Sequence, residues 1–197
     1  MAKPQRDAGP RPAALIVNRE PWTPGQGGAE LAAALRDDLS ELLGALRLRI
    51  EPAAEDIARV YAREPRPLLI AFSDTPALPA LSVEAALDEL SECHAVVGPC
   101  ADGSVYLLGL APGLDAALVA GLAQAALGPA DDALAAVTDL LDDDEHEVAL
   151  LPPWFRMGSE KDLSFAESVA RLSLMSEEGD EDFLADRLRL WLERHAQ

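Results

Sequence analysis

Short apolar runs alternating with amphipathic helical stretches predict an α/β fold: a three-layer α/β/α sandwich around a mostly parallel sheet. Three observations carry this expectation. Ala13–Val17, Leu68–Phe72 and Ala95–Val97 are continuous apolar runs, short enough for strands buried on both faces. Between them, leucines recur at helical spacing, as at Leu31, Leu35, Leu39, Leu42 and Leu46, with Asp37, Asp38 and Glu41 on the other side. The chain has 197 residues, 49% of them hydrophobic, which suits one domain with a sizeable core. Residues 1–12 read as a disordered lead-in, 13–175 as the α/β domain, and 176–197 as a C-terminal amphipathic helix packed on it or extending it.

Taken in order, strand Ala13–Val17 runs into Asn18-Arg19-Glu20-Pro21-Trp22-Thr23-Pro24-Gly25-Gln26-Gly27-Gly28, a Pro/Gly loop, and then a helix over Ala29–Leu46. Strand, glycine-rich loop and helix N-terminus can present backbone N–H groups to phosphate, or can simply connect two elements. The loop is neither GxxxxGK[ST] nor GxGxxG. Arg47–Glu51 alternates basic and apolar residues like an edge strand, and Glu55–Ala62 reads as a short helix. Pro65-Arg66-Pro67 then starts the central strand Leu68–Phe72, which ends at Ser73-Asp74-Thr75-Pro76. That places a carboxylate at the carboxyl end of a strand, the edge where open α/β sheets bind ligands. A helix over Ser82–Glu92 follows, with Val83, Leu87 and Leu90 on one face. The run Ala95–Val97 leads to Gly98-Pro99, and Asp102-Gly103-Ser104 turns the chain into an antiparallel strand, Val105–Leu108. Asp74 and Asp102 therefore stand about one βαβ unit apart and could share a cleft.

These residues resemble the centre of a bacterial glycosyltransferase-like family of the nucleotide-diphospho-sugar transferase (GT-A) superfamily. The likeness rests on Phe72-Ser73-Asp74-Thr75-Pro76, on Val97-Gly98-Pro99, and on Asp102-Gly103-Ser104-Val105-Tyr106-Leu107-Leu108-Gly109. It continues at Leu151-Pro152-Pro153-Trp154, with Asp162-Leu163 holding the register. The resemblance implies a GT-A fold and a metal-dependent nucleotidyl- or glycosyl-transferase. Asp74 and Asp102 would hold Mg²⁺ or Mn²⁺ against a nucleotide or nucleotide sugar, a hard-cation role that carboxylates suit. Arg19, Gly25, Gly27, Gly28, Gly103, Tyr106 and Arg156 would line the cofactor. Asp74 and Asp102 have a plainer reading as turn-capping aspartates, and Tyr106 as a packing residue.

The chain departs from the family pattern in three places. The Lys-Thr-Arg half of the first loop is replaced by Gly28-Ala29-Glu30-Leu31. A middle segment before the Ser-Asp-x-Pro strand is missing, and Arg156 and Gly158 stand where the family has aspartates. The expectation is a transferase-like protein with reduced or lost catalysis. The alternative is a non-catalytic binding or scaffold protein that keeps the fold.

After Gly109, Pro112-Gly113 precedes helical stretches near Leu114–Leu127 and Asp131–Leu141, and Val148–Leu151 reads as a last strand. Four consecutive acids at 142–145 lack the ligand spacing of an EF-hand and read as a solvated loop. His146-Glu147 begins like HExxH, but Leu150 stands at the second histidine position. Ser159 and Asp162 have capping-box spacing for a helix start. In the tail, Phe183, Leu184, Leu188, Trp191 and Leu192 form one helical face that could cover the core or meet a protein partner.

Thirty-five acidic residues against 16 basic ones give a formal charge of −19, which repels phosphate backbones and argues against nucleic-acid binding. No apolar run reaches the roughly 18 residues of a membrane span. The N-terminus has no apolar core of a secretory signal, and the two cysteines, Cys93 and Cys100, suit free thiols. A cytoplasmic protein is expected.

Overall fold

The computed structural model describes residues 11–23, 28–52, 56–142, 145–175 and 186–195. Gly25, Gly27, Phe183 and Leu184 lie outside this set. The elements run β1 (Ala13–Val17), α1 (Gly28–Ala45), β2 (Arg49–Glu51), α2 (Ile57–Arg63), β3 (Leu68–Phe72), α3 (Ala80–Glu89), β4 (Ala95–Pro99) and β5 (Val105–Leu110). They continue with α4 (Ala116–Ala126), α5 (Ala130–Leu141), β6 (Val148–Leu150), α6 (Glu160–Met175) and α7 (Asp186–His195).

Among the described residues, six strands form one sheet in the order β2-β1-β3-β5-β4-β6. β1 pairs in parallel with β2 and β3, and β4 with β6. β5 is antiparallel to both β3 and β4, so it runs against the other five. The reversal follows from the tight turn after β4: Gly103 adopts φ +87°, a left-handed conformation that costs glycine little. Five carboxyl ends and the start of β5 consequently meet at one edge of the sheet.

Strand alternation sorts the core into two layers. Ala14, Ile16, Leu69, Ala71 and Val96 face α1 and α3 through Leu39, Leu43, Val83, Ala86 and Leu90. Leu15, Ile70, Phe72, Val97 and Leu108 face α2, α4 and α5 through Val60, Val119, Leu122, Ala126, Val137 and Leu141. The apolar runs of the sequence are thus strands buried on both sides, which explains why they do not alternate with polar residues.

A third cluster sits outside the sandwich. Leu31 and Leu35 of α1 pack against Met157, Leu163 and Ala166, and against Leu188, Trp191 and Leu192 of α7. The apolar stripe of the C-terminal helix therefore lies on α1. The start of α7 is capped across the molecule by Asp38 of α1, whose carboxylate accepts from the Leu188 N–H at 3.0 Å and from Arg187 Nη1 at 3.0 Å. Burial pushes the Asp38 carboxyl above the usual range, with Arg187 and Leu188 opposing.

Candidate functional site

At the carboxyl edge the loops after β1, β3, β4 and β6 come together, bringing Arg19, Asp74, Asp102 and Arg156 into one group. The segment Leu151–Gly158 crosses this edge and is tied to it by backbone bonds. Trp154 N–H donates to the Pro99 carbonyl (3.0 Å), Met157 N–H to the Asp74 carbonyl (2.8 Å), and Trp22 N–H to the Met157 carbonyl (2.6 Å). Trp154 Nε1 adds a bond to the Pro76 carbonyl at 2.8 Å.

Asp74 is fully buried, and its Oδ2 accepts from Arg156 Nε at 2.7 Å. Its Oδ1 and the neighbouring Thr75 Oγ1 are buried without a hydrogen-bond partner. Burial raises the Asp74 carboxyl above the ordinary range, while Arg156 and then Arg19 pull it back. Arg156 Nε is also 4.0 Å from Asp102 Oδ2, so the guanidinium stands between the two carboxylates. Gly158 makes room for it: a Cβ there would lie 3.3 Å from Arg156 Nε and 3.6 Å from Cζ.

Asp102 is the more exposed acid. Its Oδ1 accepts from the Ser104 N–H at 3.0 Å and the Ser104 hydroxyl at 2.6 Å, an Asx-type turn that organises Gly103. The Gly103 carbonyl accepts the Leu134 N–H of α5 at 2.9 Å. Arg19 is directed inward. Its Nη1 donates to the Val105 carbonyl at 3.1 Å, its Nη2 to the Ala126 carbonyl, and its Cζ lies 3.7 Å above the Phe72 ring. Burial draws this guanidinium below its usual range, and Asp74 opposes that effect.

Tyr106 is fully buried. Its hydroxyl donates to the Pro152 carbonyl at 2.9 Å, and its ring lies against Gly98, where a Cβ would fall 2.5 Å from Cζ. Gly28 opens α1 beside Thr23, with a would-be Cβ 2.8 Å from Oγ1. The structure thus gathers Asp74, Asp102, Arg19, Gly103 and Arg156, and sets Tyr106 beneath them as packing. Among the described residues no group of three or more His, Cys, Asp or Glu side chains is arranged to hold a metal ion.

Two participants were not evident from the sequence as partners: Ser104, which holds Asp102, and Gly158, which clears the path of Arg156. For Ser104 the signal was the Asp-Gly-Ser turn pattern, and for Gly158 its place where the resembling family has an aspartate.

The sheet order and loop arrangement define a class, the nucleotide-diphospho-sugar transferase (GT-A)-like fold, and comparison with solved structures agrees. A Desulfovibrio desulfuricans protein assigned provisionally as a nucleotide-diphospho-sugar transferase superposes with a TM-score of 0.67 at 17% identity. That match covers 93% of this chain and 95% of the other. The 2-C-methyl-D-erythritol 4-phosphate cytidylyltransferase of Thermus thermophilus is more distant, with a TM-score of 0.46 and 19% identity over 81% of this chain and 98% of its own. Residues 25–122 match the model of a family described as an uncharacterized protein conserved in bacteria (DUF2064). No curated protein matches the sequence. The fold of the chain is that of a nucleotide-diphospho-sugar transferase-like structure.

Proposed function

We propose that this protein keeps a transferase fold while metal-dependent nucleotidyl or glycosyl transfer has been reduced or lost, and that it acts as a binding or scaffold module. The observation that carries this reading is the bond between fully buried Asp74 and Arg156 Nε at 2.7 Å. A divalent cation needs several oxygen ligands around a common point. Here one oxygen of Asp74 is taken by a guanidinium, and one of Asp102 by Ser104. The Arg156 guanidinium stands between the two carboxylates, so a Mg²⁺ or Mn²⁺ shared by Asp74 and Asp102 would have to take its place, and the residues as arranged do not fit the ion.

Phosphate is poorly served for a related reason. Two aspartates and two arginines leave the group with no net charge, inside a protein of charge −19. Arg19 has spent donors on backbone carbonyls, so it does not stand ready to grip a diphosphate.

The test is calorimetric titration of nucleoside triphosphates and nucleotide sugars with and without Mg²⁺ and Mn²⁺. No metal-dependent binding is expected. Micromolar metal-dependent binding that disappears in Asp74→Ala would overturn the reading and restore the transferase. Metal-free binding lost in Arg156→Ala would instead give the guanidinium the cation's role, which its charge and planar donors suit chemically.

A further inference from the structure

The outer edge of the sheet at β6 is open and apolar. The ladder to β4 pairs Ala95, Val96 and Val97 with Val148, Ala149 and Leu150. It is flanked by His94 N–H donating to the Glu147 carbonyl (2.8 Å) and Leu151 N–H donating to the Val97 carbonyl (2.9 Å). The backbones of Glu147, Ala149 and Leu151 thus turn toward β4, and by strand alternation the N–H and C=O groups of Val148 and Leu150 turn outward. β6 is the last strand on this side, so among the described residues the sheet offers those groups no partner. The same two residues carry side chains 42% and 73% exposed, Leu150 being among the most exposed large apolar residues described.

The surroundings are acidic. Glu147 is exposed at the start of the strand. The Cys93 thiol near its start is pushed up first by burial and then by Glu89, Glu147 and Glu92, which places those acids around one end of the edge. A second copy of a chain carrying −19 would bring like charge to like charge here. An extended segment with basic residues between apolar ones would satisfy the open backbone groups, cover Val148 and Leu150 and meet the acids together.

We propose that β6 is a docking edge for an extended, basic and apolar segment of a partner protein, added to the sheet as a further strand. This does not depend on whether catalysis survives. The edge is short, so binding is modest and salt-sensitive.

The experiment uses the full chain and a fluorescein-labelled peptide alternating arginine with valine, read by anisotropy and by amide shifts of Val148 and Leu150. Two control peptides are included: one N-methylated at alternate residues, which keeps charge and side chains but cannot pair, and one with glutamate for arginine. The unmodified basic peptide should bind and move the two amides. N-methylation, or Leu150→Lys in the protein, should weaken binding about ten-fold or more, whereas Phe165→Lys, at an exposed position on another element, should not. Equal binding of the N-methylated peptide, or unchanged binding by Leu150→Lys, would reduce the effect to bulk charge and overturn the proposal. So would no binding at low salt, or sedimentation showing a dimer that Leu150→Lys dissolves, which would make a second copy the occupant.

Discussion

Gly98 shows how a motif residue acts through packing. The Gly-Pro that ends β4 is part of the resemblance, and its glycine is required because the Tyr106 ring lies where a side chain would go. A Cβ 2.5 Å from Cζ cannot be accommodated without moving a fully buried ring whose hydroxyl is anchored at Pro152. Gly98→Ala should therefore cost about 1–3 kcal/mol, the range for overpacking a tight core, read from urea unfolding. Adding Tyr106→Leu should recover part of the loss. If Gly98→Ala is neutral on its own, the close approach is not rigid. The cysteines give a second prediction at this scale. Cys100 is buried and its thiol is pushed up to about 11 by burial, which leaves very little thiolate at pH 8. Cys93 is less buried. Iodoacetamide should modify Cys93 first, with Cys100 reacting only on unfolding, as peptide mapping would show.

Among the elements, α7 is the one whose attachment can be dissected. Its apolar stripe of Leu188, Trp191 and Leu192 is buried on α1, and its first N–H groups are capped by Asp38 rather than by a neighbour in sequence. Removing that acceptor in Asp38→Ala should cost about 0.5–2 kcal/mol, as for other N-caps, and should raise hydrogen exchange over 186–195. Because burial holds the folded Asp38 pKa above its unfolded value, the protonated form is favoured by folding. Its stabilising contribution is complete below the ordinary aspartate range and is lost as pH rises through the folded pKa. Asparagine keeps an acceptor and does not titrate. The stability of Asp38→Asn relative to wild type should thus rise from pH 4 to pH 7, and a flat difference would contradict the burial argument.

Leu151–Gly158 and the β4–β5 turn make the same point about elements. The sequence shows Pro-Pro-Trp and Asp-Gly-Ser as local patterns, and their helix-start and turn chemistry was legible. Ser159 and Asp162 do cap α6, with Ser159 Oγ donating to Asp162 Oδ2 at 2.7 Å. What was not legible is that one segment fastens the ends of β1, β3 and β4, because those contacts join residues far apart in the chain.

For the whole molecule, the charge of −19 is a uniform cost to the compact state that salt should relieve. The melting temperature should rise with sodium chloride from low ionic strength to about 0.5 M, where the Debye length falls to a few ångströms. A melting temperature that falls or stays constant would mean the local ion pairs, such as Glu51 with Arg49 and Arg66, outweigh global repulsion.

The sequence by itself determined the layer architecture, since continuous apolar runs and leucine-faced helices leave few ways to bury both. It also placed Asp74 and Asp102 at the carboxyl edge, because strand ends are set by local pattern. Only the tertiary structure decided what those residues do there. Whether Asp74 meets a cation, a solvent-exposed cleft or a guanidinium depends on the path of a segment 82 residues away in sequence. Arg19 is directed inward by carbonyls of β5 and α4 that no local rule could pair with it. Strand and helix formation are short-range preferences, whereas the pairing of buried charges is fixed by distances that exist only once the sheet has assembled.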